Sequence, residues 1–319
     1  MKRLFPLLRN TLRLLPLILV LSAASLVSEV PARPQPLILI VSSSQLPPYQ
    51  QVVQGFNNSL KQRFPEALIN TFFLDHDLMK TQATLLQIKT RHPDTLFTLG
   101  TKATQEMQAM FPDRPQVVTM ILDGQLLEHS QQSTGVVLNF PPKVHFDWLR
   151  RLLPEAKRVC LLYNPAENAP LFAELEKAAK NSQLELYGIP VERLAQLPAA
   201  LKSVSRHGDI LLGLPDKTVY SSKTAKAILL STFRNRIPFA GLSRYWVKAG
   251  ALYALDWDYL DLGRQCGEMM VQILEGTAVA DIAPAIPAAV RYVINMKTAE
   301  HLRLTLDPSV VQEATEVFQ

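Results

Sequence analysis

Small polar and acidic side chains follow several runs of apolar, β-branched residues in this sequence, and these side chains could contact a ligand. The set comprises Ser42, Ser43, Ser44, Gly100, Thr101, Asp123, Asn164, Asp216, Gly241 and Ser243. In open parallel sheets, ligands bind beyond the carboxyl ends of the strands, which is where these residues are expected. Hydroxyl groups beside free N–H groups at the start of a helix suit a carboxylate, and carboxylates opposite them suit an ammonium group. A site with both kinds of group would suit an amino acid.

Each of these positions also has a purely structural interpretation. Ser44 and Thr101 fit equally well as helix N-caps, and Asp216 fits as a cap and a partner of a helix dipole. Asn164 and Pro165 together fit a turn. Tyr245 and Trp246 follow Arg244 near a strand end, where they suit either stacking on a ligand or core packing.

Motifs for catalysis, metals and cofactors are missing from the sequence. It contains no G-x-S-x-G elbow, no P-loop and no G-x-G-x-x-G fingerprint. Its histidines show no metal-ligand spacing; they are His76, His92, His129, His145, His207 and His301. We therefore expect no enzyme, no catalytic residue, no metal site and no cofactor.

The elements that must position these residues alternate between strands and helices. The first strand, at residues 37–41, has no polar alternation, so both of its faces should be buried, as in a parallel sheet. The same strand–helix alternation predicts two doubly wound units, at residues 36–137 and 138–250. A long helix is predicted at residues 218–236, a strand at 251–255, a helix capped by Asp258, and a connector at 278–289.

The composition is that of a folded, exported protein. The chain has 319 residues, 19% of them charged, and a formal net charge of +5, of which +3 lies in residues 1–32. The remaining charge is too small and too scattered for a nucleic-acid footprint. Basic residues at the start and an apolar run at 14–27 predict a signal peptide over residues 1–32, with an uncleaved anchor as the alternative. No cysteine lies in this leader, so we expect a periplasmic protein that is not a lipoprotein.

The run from Ser133 to Pro308 resembles the bacterial ABC transporter substrate-binding proteins of the tryptophan-binding type. The matching segments include Ser133-Thr-Gly-Val136, Leu162-Tyr-Asn-Pro165, Leu214-Pro-Asp-Lys-Thr-Val219, Ile237-Pro-Phe-Ala240, Lys248-Ala-Gly-Ala-Leu252, Asp258-Tyr-Leu-Asp-Leu-Gly-Arg264 and Val293-Ile-Asn-Met-Lys297. Each segment alone is a weak match, but the order and spacing of the segments match along more than half of the chain. The first third matches mainly through Leu99-Gly-Thr101 and Asp123.

The resemblance implies an α/β fold of two doubly wound parallel-sheet lobes joined by a three-crossover hinge, as in type I periplasmic binding proteins. The N-terminal lobe would comprise residues 36–137 and 251–279, and the C-terminal lobe residues 138–250 and 280–319. Cys160 and Cys266 would then lie in different lobes as buried, unpaired thiols. By matching position, the ligand contacts would fall near Ser44, Thr101, Asp123, Asn164, Asp216 and Asp256, besides Ser43 and Ser243 from the strand ends.

The chain departs from the family pattern after the first strand. There the family usually has a His-Pro turn that leads into an acidic residue, whereas this chain reads Gln45-Leu-Pro-Pro-Tyr49. That stretch would line the cleft, so the resemblance leaves an amino acid, a peptide fragment and other small molecules open as ligands.

The function predicted from the resemblance is a periplasmic, monomeric solute-binding protein that delivers a small molecule to an ABC permease in the inner membrane. One alternative is a periplasmic sensor, which would signal to a membrane receptor or a histidine kinase from the same scaffold. An exported α/β enzyme is a third interpretation, because the fold does not determine the function.

Overall fold

A computed structural model describes residues 35–75, 77–128 and 130–319. The predicted leader, His76 and His129 lie outside the described residues. The strands are β1 (Leu37–Ser42), β2 (Leu68–Phe73), β3 (Thr95–Leu99), β4 (Gln116–Thr119), β5 (Ser133–Gly135), β6 (Arg158–Tyr163), β7 (Glu185–Pro190), β8 (Ile210–Leu212), β9 (Phe239–Gly241), β10 (Tyr253–Trp257), β11 (Val290–Asn295) and β12 (Glu316–Phe318).

Helices cover both sheets. They are α1 (Pro47–Arg63), α2 (Leu78–Lys89), α3 (Thr101–Met110), α4 (Gln125–Glu128), α5 (Pro142–Leu152), α6 (Pro165–Asn181), α7 (Leu197–His207), α8 (Ala225–Arg234), α9 (Arg244–Lys248), α10 (Tyr259–Leu274), α11 (Met296–His301) and α12 (Pro308–Glu313). No helix in the described part of the chain is long and apolar enough to cross a membrane.

Two sheets organise the fold. The smaller sheet has the parallel order β2-β1-β3-β4-β5, and the larger has the order β12-β11-β10-β9-β8-β6-β7. In the larger sheet β10 and β11 are antiparallel, while the other pairs are parallel. We call the smaller sheet and its helices the first lobe, and the larger sheet and its helices the second lobe. The fold predicted from the sequence, two doubly wound α/β lobes, is confirmed.

The apolar runs predicted to be buried form the cores of these lobes. From Ile38 to Val41, every side chain of β1 is fully buried, which is the both-face burial that its uninterrupted apolar sequence predicts. Phe56 of α1 stacks on Phe97 of β3 with ring centroids 4.0 Å apart. Cys160 and Cys266 are buried and unpaired, as predicted, and they lie in the separate cores of the two lobes.

The chain passes between the lobes three times. The first crossing is at residues 139–141, between Leu138, whose N–H donates to Ile121 of the first lobe, and the start of α5. The second is at residues 257–258, where β10 ends with Trp257 and Asp258 precedes α10. The third is at residues 286–289, between Ala285, which pairs with Val136, and β11.

These crossings differ in position from the predicted boundaries. The prediction placed residues 251–279 in the first lobe, but β10 lies in the larger sheet, between β9 and β11. Residues 280–285 were assigned to the second lobe, yet Thr134 of β5 donates a hydrogen bond to Ile282 O, and Ile282 is buried in the first-lobe core. Backbone pairing partners, which the sequence does not reveal, decide both assignments.

Helix α10 returns to the first lobe and packs along α1. A Cβ atom on Gly263 would overlap the carbonyl oxygen of Val52, so only glycine permits the close approach of these two helices. Asp258 caps α10 as predicted, since its side chain accepts a hydrogen bond from the N–H of Asp261.

The predicted helix at 218–236 is shorter than expected. Residues 217–224 form turns, and α8 begins only at Ala225. The Asp216 carboxylate accepts hydrogen bonds from the N–H groups of Thr218 and Val219, and these bonds hold the chain in a turn before the helix.

Candidate functional site

A cavity of about 290 Å³ lies at the carboxyl ends of β8, β9 and β10. It is bordered by the first two crossings and, on the first-lobe side, by the exposed side chain of Leu122. We call it the hinge cavity. Its principal lining residues are Leu122, Phe140, His145, Asn168, Leu171, Leu214, Leu242, Tyr253, Leu255 and Trp257. Most of these are apolar, so the cavity suits the apolar part of a small ligand.

Aromatic rings from two different crossings wall this cavity. Trp257 of the second crossing stacks on Phe140 of the first, with ring centroids 5.1 Å apart and an interplanar angle of 14°. His145 of α5 approaches the edge of Phe140 at 6.0 Å. The imidazole is half-buried, and desolvation lowers the pKa of His145 to about 4. His145 is therefore neutral at physiological pH.

A second depression, of about 560 Å³, adjoins the hinge cavity. The two share Leu122, Asn168, Pro215 and Leu242 in their walls. The second depression is lined in addition by Glu167, Asp216, Lys217 and Tyr220. An apolar cavity thus meets a polar depression at the edge of the larger sheet.

Asp216 and Asn164 lie together at the strand ends. Their hydrogen bonds are made to each other and to neighbouring residues. Asp216 is 6% exposed and accepts four hydrogen bonds: from Asn164 N at 2.6 Å, Asn168 Nδ2 at 2.8 Å, Thr218 N at 3.0 Å and Val219 N at 2.8 Å. Asn164 is the N-cap of α6, since its Oδ1 accepts a hydrogen bond from Ala166 N. These two residues join the ends of β6 and β8.

Glu167 extends this network. Its carboxylate accepts hydrogen bonds from Thr218 Oγ1 at 2.6 Å and from Lys217 N at 2.9 Å. The same hydrogen bonds lower the pKa of Glu167. Asn168, which also lines the hinge cavity, donates to Asp216 and to Pro215 O. The network therefore fixes the polar rim of the cavity.

On the first lobe, Ser43 rather than Ser44 or Thr101 supports a helix terminus. Ser43 Oγ accepts a hydrogen bond of 3.0 Å from Ala103 N in the first turn of α3. Ser44 Oγ accepts from Leu46 N in a local turn, and Thr101 is the exposed first residue of α3. The interpretation of Ser44 and Thr101 as N-caps is wrong, because the neighbouring strand end supplies the capping oxygen.

The hydroxyl of Tyr49, a residue of α1, lies near the same strand ends. Gly100, between β3 and α3, has a φ of +92°, and a Cβ there would lie 2.8 Å from Ser43 Oγ and 3.5 Å from Tyr49 Oη. The Tyr49 hydroxyl therefore lies close to Gly100, and desolvation raises the pKa of Tyr49. Tyr49 belongs to the stretch that departs from the family pattern.

Asp256, near the end of β10, is half-buried beside the second crossing. Its Oδ1 accepts hydrogen bonds from Trp257 N and from Tyr259 Oη, each at 2.9 Å. Among the described residues, no hydrogen bond to its Oδ2 is found. Desolvation raises the pKa of Asp256, and burial with the adjacent Asp256 charge raises that of Tyr259.

Asp123 and Ser243 are not joined to the other predicted residues. Asp123 Oδ1 accepts a hydrogen bond from Gln125 N, and Asp123 lines a separate depression beside α3 and α4, while the adjacent Leu122 borders the hinge cavity. Ser243 precedes α9 and makes no capping hydrogen bond with its side chain, although Gly241 and Leu242 line the hinge cavity.

Of the aromatic pair after Arg244, Trp246 packs in the second-lobe core against Phe239, with ring centroids 5.6 Å apart. Tyr245 is 72% exposed, and the Arg244 guanidinium lies over its ring. Packing is therefore the interpretation that applies to Trp246.

The apolar walls of the hinge cavity were not predicted. Trp257 ends β10, so the strand-end rule could have found it had the strand not been predicted to end at residue 255. Phe140 and His145 lie in a crossing and in the helix after it, where sequence periodicity carries no sign of a cavity. Within the described ranges, no cluster of His, Cys, Asp and Glu could hold a metal ion.

The sequence profile described as "ABC transporter substrate binding protein" matches residues 38–318. The chain belongs to this family. The resemblance noted in the sequence is confirmed, and with it the function of a substrate-binding protein of ABC transporters.

Two related proteins are similar to this chain over most of its length. A tyrosine-binding protein of Clostridioides difficile is 24% identical over 236 residues, which cover 71% of this chain and 68% of that protein. An uncharacterized protein of Rickettsia prowazekii is 26% identical over 73% of this chain and 74% of its own length.

Two solved structures show the same fold. A ligand-free, open substrate-binding protein with adhesive properties from Clostridium difficile superimposes with a TM-score of 0.76 at 19% identity, covering 89% of this chain and 99% of that chain. An ABC domain from Streptococcus pneumoniae in complex with L-Trp has a TM-score of 0.60 at 21% identity, covering 89% of this chain and 100% of that chain.

Proposed function

We propose that this family member is exported to the periplasm, binds a small amphipathic solute at the hinge cavity, and delivers it as a monomer to an ABC permease in the inner membrane. An α-amino acid is the leading candidate for the solute. The observation that supports this proposal is the position of the cavity, which is walled by two crossings and lies at strand ends of the second lobe opposite Leu122 of the first.

The chemistry of the cleft fits a ligand with an apolar part and two charged groups. The hinge cavity would take the apolar part. We assign the ligand carboxylate to the start of α3 at Thr101, where backbone N–H groups are directed out of the helix. We assign the ammonium group to Asp256, which lies on β10 between the cavity-lining residues Leu255 and Trp257 without lining the cavity itself, and whose Oδ2 has no partner among the described residues.

The other predicted residues take supporting parts in this proposal. Ser43, Asn164 and Asp216 hold the strand ends in place, and Ser44 and Ser243 are further candidate contacts at the rim. Asp123 lies in a separate depression and is left out.

The mechanism needs no catalysis. A ligand that contacts both lobes stabilises the closed arrangement, because only that arrangement makes both sets of contacts. The relatives whose names specify an amino acid, L-Trp in one structure and tyrosine in one protein, support an amino acid as the ligand here.

A thermal-shift screen of L-amino acids, short peptides and nucleosides tests the proposal. A ligand at about 100 times its Kd stabilises the folded state by about 2.7 kcal/mol, which raises Tm by several degrees in a chain of this size. We expect an amino acid among the hits, and we expect Asp256→Asn to weaken its binding at least about tenfold by removing the carboxylate charge. A screen in which no amino acid shifts Tm would contradict the proposal.

A further inference from the structure

Two residues in the wall of the hinge cavity each carry a buried polar atom that has no hydrogen-bond partner among the described residues. The atoms are Oη of Tyr253 and Nε1 of Trp257. Tyr253 is 2% exposed, and both residues belong to β10 and line the cavity. An unpaired buried donor carries its full desolvation penalty, so native proteins rarely retain one without a use for it.

The two groups offer complementary chemistry. The indole N–H of Trp257 only donates, whereas the Tyr253 hydroxyl both donates and accepts. His145 lines the same cavity and is neutral, so its imidazole supplies one donor and one acceptor. The rest of the wall is apolar, with Leu171, Leu214 and Leu255 as examples.

Tyr292 is a matched comparison for the unpaired hydroxyl of Tyr253, whereas the other unpaired buried atoms among the described residues, Asn57 Oδ1 and Thr95 Oγ1, lie in the first lobe. Tyr292 lies on the adjacent strand β11, is 3% exposed, and its hydroxyl donates a hydrogen bond of 2.7 Å to Val310 O. The two tyrosines are similarly buried in neighbouring strands of one sheet. Only Tyr253, which lines the cavity, lacks a partner.

We infer that the hinge cavity is a subsite for the buried end of the ligand and that it selects a ligand whose apolar end carries a hydrogen-bond acceptor, such as a phenol, a carbonyl or an aromatic nitrogen. The acceptor receives a hydrogen bond from Trp257 Nε1 or Tyr253 Oη, and the donating side chain turns toward the cavity to make it, because both atoms are buried in the unliganded chain. This inference rests on the proposed function and specifies which solutes the site distinguishes. A site with buried polar groups discriminates strongly against an analogue that lacks the matching group, because those groups then stay unpaired.

The test uses a pair of fragments that differ by one hydroxyl, p-cresol and toluene, on the full chain. Neither fragment carries a carboxylate or an ammonium group, so their binding reports on the cavity alone. We expect p-cresol to bind at least about threefold more tightly than toluene, since one net hydrogen bond contributes that much or more. The ¹⁵N-labelled indole N–H signal of Trp257, assigned with Trp257→Phe, is expected to shift with p-cresol and much less with toluene.

Variants connect the preference to the two groups. Tyr253→Phe is expected to reduce the preference for p-cresol. The double variant Tyr253→Phe/Trp257→Phe is expected to reverse it, because toluene leaves water more readily. Tyr292→Phe is the matched control: it removes a buried hydroxyl elsewhere in the sheet and should leave the preference unchanged.

The inference is overturned if toluene binds as tightly as p-cresol, if neither fragment binds at millimolar concentration, or if Tyr292→Phe changes the preference as much as Tyr253→Phe does. These outcomes are independent of the amino-acid screen. An amino acid that binds a protein without the fragment preference would leave the proposed function standing and remove this inference.

Discussion

Two polar regions of the second lobe stand in contrast. At the ends of β6 and β8, Asp216 is saturated with four hydrogen bonds. Around β10, the polar atoms of Tyr253 and Trp257 are buried without partners in the part of the chain that the structure describes. Saturated groups hold a structure in place, whereas orphaned groups cost stability unless a ligand pairs with them. In the second lobe, the hydrogen-bond partners of these residues therefore distinguish the two regions, although both contain polar side chains.

The largest expected effect is the loss of stability when the Asp216 carboxylate is removed. Asp216→Ala leaves three backbone N–H groups and the Asn168 amide without their acceptor, so we expect the free energy of unfolding to fall by about 3 kcal/mol. Urea unfolding measures this change. If Asp216→Ala instead retains its stability and loses ligand binding, Asp216 is a ligand contact and not a structural residue.

The next largest effect is a pH dependence from His145. Its pKa in the folded state, about 4, lies below the ordinary histidine pKa of 6.5, so between these pH values the unfolded chain binds a proton that the folded chain does not. Stability therefore rises with pH across this window and is lost as the pH falls through it. We expect a loss of about 2 kcal/mol, less than the full shift implies because the ring is only half-buried.

The measurement is urea unfolding of the wild type and of His145→Gln at pH 7 and at pH 4. The variant should lose about 2 kcal/mol less than the wild type between the two values, since glutamine does not titrate. Equal losses in the two proteins would show that His145 is not held neutral by the cavity wall.

The smallest expected effects are stability changes of opposite sign in two tyrosine variants. Tyr253→Phe removes an orphaned hydroxyl, so we expect the unliganded protein to gain about 1 kcal/mol. Tyr292→Phe removes a hydroxyl that is bonded to Val310 O, so we expect a loss of about 1 kcal/mol. Differential scanning calorimetry without ligand compares the two. A loss of the same size in both variants would mean that Tyr253 has a partner in solution.

Local features of the fold were predictable from the sequence. The uninterrupted apolar run of β1 requires burial on both faces, and the Asp258 carboxylate caps the helix that follows it. Both depend on neighbours in the chain. The prediction of a helix at 218–236 was wrong about where the helix begins. The Asp216 side chain accepts hydrogen bonds from the N–H groups of Thr218 and Val219, and these local bonds favour a turn there.

The candidate site was only partly predictable. The strand-end rule placed Asp216 and Gly241 at the carboxyl ends of their strands, where Gly241 lines the hinge cavity and Asp216 lines the depression beside it. It could not find Phe140 or His145, which reach the cavity from a crossing segment and from the helix that follows it. Nor could it separate the engaged carboxylate of Asp216 from that of Asp256, since a residue type does not reveal its partners.

The sequence by itself determined the alternation of strands and helices, the burial of the central strands, and the family, since each depends on residue order along the chain. The tertiary structure alone decided that β10 joins the larger sheet and that Trp257 stacks on Phe140. It also decided which buried polar atoms are paired. Those outcomes depend on contacts between residues far apart in sequence. The hinge cavity depends on them too, because its walls come from segments that are distant along the chain.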